Sequence, residues 1–229
     1  MTTTTEALIA CLLAGWPGAT KCHEELVAKG PAAIAEVKPA LFAALRGDPG
    51  RSVRERNNGV ALTATATHRD PPDPRTRELG KAVNAAKELG RLGEWKPLLA
   101  LETITAVEGL AELEKPPVPV LKALVRWAGG KDDRLRYAAV EALQGFGPKA
   151  APVVAEVIAM LDRGDHARAS ALDVLEKMGP AAKAAVPRLG VMLKDKNWSD
   201  GAYSALKGIG TPEAERLLYD NPKWVVAPR

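Results

Sequence analysis

The sequence predicts an all-α protein, a solenoid in which helix pairs stack one on the next. Three observations carry that reading. Alanine supplies 40 of the 229 residues, and alanine is the strongest helix former and lets helices pack closely. Aromatic residues make up only 4%, and the alternating β-branched runs of a sheet protein are few. A helix-ending phrase recurs at a nearly fixed step in the C-terminal half. The 46% hydrophobic and 26% charged fractions are ordinary for a globular chain. They exclude the collagen-like, disordered and disulfide-scaffold classes.

From the N-terminus, the first helix pair covers about 3–29, opening from a threonine N-cap. Lys29-Gly30-Pro31-Ala32-Ala33 ends it and starts a second pair over about 31–66, interrupted at Asn57-Asn58-Gly59. Residues 67–77, with Pro71, Pro72 and Pro74, are expected to be a linker, because proline is excluded from a helix interior. A loop of this length in a repeat array is itself a candidate functional segment. A third pair spans about 76–113, with a junction at Leu89-Gly90-Arg91-Leu92-Gly93 and a helix start at Pro97-Leu98-Leu99. Pairs follow at about 117–146, 148–178 and 180–210, then a final helix near 212–219 and a short tail over 220–229. We expect one elongated domain over 1–229, with irregular repeats in 1–115 and regular ones in 116–219.

The regular part rests on three phrases: Ala142-Leu143-Gln144-Gly145-Phe146-Gly147-Pro148, Val174-Leu175-Glu176-Lys177-Met178-Gly179-Pro180 and Ala205-Leu206-Lys207-Gly208-Ile209-Gly210-Thr211-Pro212. The glycines step by 32 residues from Gly147 to Gly179 and by 31 to Gly210. Each phrase puts apolar residues three or four apart, on one helix face. Glycine then supplies the positive φ that ends a helix. Proline follows where the next helix begins and its missing N–H costs nothing. Upstream, Asp133-Arg134-Leu135-Arg136-Tyr137-Ala138-Ala139 matches Asp165-His166-Ala167-Arg168-Ala169-Ser170-Ala171, with an aspartate at the helix start and an arginine three residues on. Downstream, each phrase leads to a helix with a proline near its start, Pro152-Val153-Val154 and Pro187-Arg188-Leu189, and Pro119-Val120-Leu121 is an earlier relative.

The Asp-x-x-Arg-x-x-Ala-Ala helix, the Leu-Gly-x-x-Gly turn and the Pro-Leu-Leu helix resemble HEAT repeats. They are similar in particular to the short bacterial type called HEAT-like or phycobilisome-lyase-type repeats. The match is best over about 116–212, and Ser199 departs from it where Arg136 and Arg168 stand. The resemblance implies an all-α, right-handed α-solenoid, the armadillo-like alpha-alpha superhelix, of about six HEAT-like helix pairs. In this family the repeated arginine commonly bonds an acid or carbonyl of a neighbouring repeat.

Net charge is +4, and it is uneven. Residues 1–115 carry 15 basic and 15 acidic side chains, whereas 116–229 carry 17 and 13. Acids are interspersed throughout, as in Lys131-Asp132-Asp133-Arg134, so the surface reads as mixed rather than as a basic stripe. Two cysteines, Cys11 and Cys22, do not make a disulfide scaffold in a chain this long, and free thiols in a cytoplasmic protein are expected. Leu8-Ile9-Ala10-Cys11 has the form of a lipoprotein cleavage box, but Met1–Ala7 ahead of it has an acid, no base and no apolar run, so a first helix is the reading. No apolar run approaches 18 residues, and no membrane span is expected.

His23, His68 and His166 lie far apart, and none stands at metal-ligand spacing, so no metal or cofactor is expected. No nucleophile elbow, phosphate-binding loop or zinc-protease motif occurs. The expected function is therefore non-enzymatic: a scaffold or adaptor that holds a protein partner on its concave face, lined by the second helix of each pair. Arg134, Arg136, Tyr137, Glu141, Arg168 and Asp173 are the exposed partner-binding candidates. Two alternatives accompany it. One is nucleic-acid binding through the +4 half, including a DNA glycosylase-like role in which Trp127, Asp132, Arg168 and Trp198 would supply groups similar to those that repeat-built glycosylases use. The other, implied by the resemblance, is an accessory role in a bilin lyase-like enzyme.

Overall fold

A computed structural model describes residues 4–15, 18–46 and 74–221, and every regular element in them is helical. The chain divides into two units, Met1–Glu114 and Lys115–Arg229. Asn57-Asn58-Gly59, residues 67–73 of the expected linker and the tail beyond Asn221 lie outside the described residues.

Unit 1 contains α1 (Thr5–Ala14), α2 (Ala19–Lys29), α3 (Pro31–Arg46), α4 (Pro74–Arg91), α5 (Trp95–Leu99) and α6 (Ile104–Ala111). The Thr4 hydroxyl caps α1, accepting from Ala7 N at 3.3 Å. Against the expected linker over 67–77, α4 already begins at Pro74, because a proline at the first helical position gives up no needed N–H. α4 is the hub and packs against α1, α3 and α6. Its stripe of Ala82, Ala85, Ala86 and Leu89 is fully buried. Gly90 continues the helix rather than ending it: a Cβ there would stand 1.8 Å from the Gly109 carbonyl oxygen of α6. The turn falls at Gly93, at φ +78. The expected pair over 76–113 is thus three helices. A break at Leu101-Glu102 separates α5 from α6, and Thr103 restarts the chain by accepting from Ala106 N at 3.2 Å.

Cys11 and Cys22 are bonded to each other, with Cα atoms 6.4 Å apart, which corrects the expectation of free thiols. The short connection between α1 and α2 brings the two helices together. That puts the seventh residue of one opposite the fourth residue of the other, a geometry sequence spacing does not reveal. The argument from free thiols to the cytoplasm falls with it.

Unit 2 contains α7 (Val118–Ala128), α8 (Asp133–Phe146), α9 (Val154–Met160), α10 (Asp165–Met178), α11 (Val186–Met192), α12 (Ser199–Ile209) and α13 (Pro212–Asp220). The three phrase glycines all take positive φ and each ends its helix: Gly147 (φ +51, ψ -124) and Gly179 (φ +61, ψ -142) share one conformation, and Gly210 (φ +59, ψ 26) is left-handed α. After the first two, the chain runs as a 3-10 turn, Gly147–Val153 and Gly179–Ala185, before α9 and α11. Pro148 with Pro152, and Pro180 with Pro187, remove donors that a continuous α-helix needs. α10 packs between α8 and α12, while the two 3-10 turns with α9 and α11 pack as a second row that begins at α7. Glycine again permits the closest approach. A Cβ on Gly201 would stand 2.7 Å from Leu172 Cδ1, and one on Gly208 2.6 Å from the Glu176 carbonyl. Leu143, Met160, Leu161, Leu175, Leu189 and Leu206 fill the space between the rows.

Candidate functional site

The repeated arginines make their hydrogen bonds and ion pairs within their own repeats. Arg136 is 4% exposed, which corrects its expected place on the binding face. Its Nη1 lies 2.6 Å from Asp133 Oδ1 and 3.5 Å from the Gly130 carbonyl, in the turn that closes α7. Arg168 repeats the pattern: Nε donates to the Leu161 carbonyl at 2.7 Å, Nη2 to the Arg163 carbonyl at 3.4 Å, and Nη1 lies 3.5 Å from Asp165. A buried guanidinium needs partners for its fork of donors, and the carbonyls left over at a helix end provide them. Each arginine therefore fastens its helix to the one before it. Arg168 is half-buried and stacks on Trp198, 5.0 Å from the ring centroid.

At the corresponding place in the next repeat Ser199 is buried, and the fastening changes hands. The Asp195 carboxylate accepts from Asn197 N at 2.9 Å and its carbonyl from Ser199 N at 2.9 Å, holding the turn before α12. Ion pairs between repeats occur on the row of first helices, where Lys122 meets Glu156 at 3.3 Å and Arg188 Nε donates to Asp162 at 3.1 Å.

The remaining predicted residues face outward. Arg134, Tyr137 and Glu141 lie three and four apart on α8, hence on one face, and Tyr137 is 68% exposed. Among the described residues, neither Arg134 nor Glu141 has an ion-pair or hydrogen-bond partner. Asp173 occupies the Glu141 position on neighbouring α10, with exposed His166, Ala169 and Lys177 along the same face. Partial burial, then the nearby Glu176 carboxylate, push the Asp173 carboxyl above the ordinary aspartate range, against the pull of Lys177. On α12 the row continues with exposed Asp200 and Ser204.

Of the glycosylase-type residues, Arg168 and Trp198 stack on each other, and the other two have local roles. Trp127 is 6% exposed, Asp132 caps α8 by accepting from Leu135 N at 3.0 Å, and Trp198 covers Arg168. No protein-family model matches the chain, and no curated protein matches it. No helix among the described residues is long and apolar enough to cross a membrane.

A second polar cluster, in unit 1, escaped the sequence reading. Glu88 is 2% exposed on α4 and meets His23 Nδ1 of α2 at 2.7 Å, with Arg91 at 3.9 Å. Arg91 Nε also donates to Glu112 at 3.1 Å, and Asn84 Nδ2 donates to the Leu13 carbonyl at 3.0 Å. Asn84, Glu88, Arg91 and Glu112 line a cleft of about 270 Å³ with Leu12, Gly15, Ala19 and Lys87. One signal was present in the sequence: Glu88 stands inside the Ala85-Ala86-x-x-Leu89 stripe, where a carboxylate entering the core needs a partner. Its partner, 65 residues away, was not legible.

Proposed function

We propose that the chain is a non-enzymatic protein-binding scaffold of the HEAT-like solenoid type. Its partner docks on the outward face of α8 and α10. The observation that supports this most is Tyr137, 68% exposed between Arg134 and Glu141, two charges that the described residues leave unpaired. An exposed tyrosine offers a large contact area with a polar tip and few rotatable bonds, and it recurs at binding hot spots. Flanking charges of both signs favour a partner of mixed charge rather than a polyphosphate backbone. Asp173 extends the face onto α10. Arg136 and Arg168 support the face from beneath and hold α8 and α10 in place.

Capture of partners from native lysate tests this reading, with the wild-type chain beside an Arg134→Glu/Tyr137→Ala variant, each with and without nuclease. We expect a dominant protein that survives nuclease and is lost on the variant while helicity is unchanged. Retention by the variant, or loss of the captured protein on nuclease treatment, would overturn it.

A further inference from the structure

We propose that the Cys11–Cys22 disulfide is a redox latch on α2, and that its reduction releases α2 and opens the cleft over Glu88. Beside that bond, α2 has little apolar anchorage. Leu26 is its one buried side chain in 11 residues. Gly18 precedes it, and no side chain caps its first turn. It packs on α1 and α3, and His23 ties it across to Glu88 of α4. The bond brackets one wall of the cleft, since Leu12, Gly15 and Ala19 all lie between the two cysteines in sequence. The opposite wall is Asn84, Lys87, Glu88, Arg91 and Glu112. Loss of the bond therefore loosens the first turn of α2, the Ala19 wall and the His23 contact together.

Access and leaving-group chemistry both suit exchange. The two cysteines are half-buried rather than enclosed. Cys22 sits in the first turn of a helix beside Lys21, where the partial positive charge of the helix end favours a departing thiolate. A dithiol reductant attacks one sulfur and forms a mixed disulfide, and the partner cysteine leaves as a thiolate that takes up a proton. The second thiol of the reductant then displaces the remaining cysteine. Cys11 and Cys22 end as two thiols, and the reductant ends as its own disulfide.

The test is hydrogen exchange read by mass spectrometry on the full chain, air-oxidised and after dithiothreitol without denaturant, with thiols counted before and after. We expect no free thiol before and two after. Peptides within Ala19–Lys29 should then exchange about tenfold to a thousandfold faster, with those of α4 and α6 unchanged. A Cys11→Ser/Cys22→Ser variant should match the reduced chain. Two free thiols in the air-oxidised protein, unchanged exchange in α2, or equal acceleration across α2, α4 and α6 would each overturn the latch. The last would make the bond a strut for the whole unit.

Discussion

Arg136 and Arg168 stand 32 positions apart and do the same work. Each guanidinium reaches back to a carbonyl at the end of the preceding helix and forward to the aspartate at the start of its own. The sequence pattern that looks like a charge ladder is a repeated fastener. Arg136→Ala should cost about 1–3 kcal/mol, from the lost charged hydrogen bonds and the packing of a buried stem. Arg168→Ala should cost less, because its side chain is 24% exposed. Lysine at position 136 should restore only part of the loss, since an ammonium cannot reproduce the fork. Urea unfolding of the three variants decides it, and equal stability of Arg136→Ala and wild type would refute the fastener.

Gly90 and Gly109 make the α4–α6 crossing, and their backbones leave no room for a methyl group. Gly90→Ala should destabilise unit 1 by about 3 kcal/mol or reshape the crossing. Gly145→Ala provides the contrast. It lies on exposed α8 surface with nothing within 4 Å, and alanine there should stabilise by about 0.5–1 kcal/mol. Thermal melts that move the two variants in the same direction would contradict this account of the crossing.

Asp173 has a carboxyl whose pKa is raised on folding, so ionisation at neutral pH opposes the folded state. A raised acid gives stability as pH falls through its folded value, and the gain is complete once the unfolded group is protonated as well. Asp173→Asn should therefore raise Tm at pH 7. The advantage over wild type should shrink on acidification and vanish near about pH 3, below the ordinary aspartate range. A Tm difference that is constant from pH 3 to pH 7 would contradict the assignment.

His23 is the imidazole that satisfies the buried Glu88 carboxylate. His23→Ala should cost about 1–3 kcal/mol by leaving that carboxylate short of a donor. Glu88→Gln, which keeps an acceptor for the ring, should cost less. Chemical denaturation of the oxidised chains checks the order, and a neutral His23→Ala would show that water replaces the imidazole.

Much of the fold was legible because its signals are local. The glycine–proline phrases mark chain reversals that neighbouring residues alone determine, so the ends of α8, α10 and α12 fall at Gly147, Gly179 and Gly210 as expected. The 3-10 turns were less legible, since they depend on prolines spaced along the junction, Pro148 with Pro152 and Pro180 with Pro187 at the start of α11. Long-range pairings were not legible at all. The Cys11–Cys22 bond and the His23–Glu88 contact follow from how α1, α2 and α4 pack, and no spacing encodes that. Within the candidate face, Arg134, Tyr137, Glu141 and Asp173 emerge exposed, while Arg136 does not. A helix position three residues after the N-terminal aspartate points back toward the preceding turn, and there a long side chain finds carbonyls to bond.

The central claim is that partners dock on the outward face of α8 and α10, and site-specific photo-cross-linking tests it most directly. A benzophenone amino acid would replace Tyr137 in one chain, Asp173 in a second and Lys149, exposed on the other row, in a third. We predict that the captured protein cross-links to positions 137 and 173 and not to 149. Cross-linking at 149 with none at 137 or 173 would contradict the assigned face.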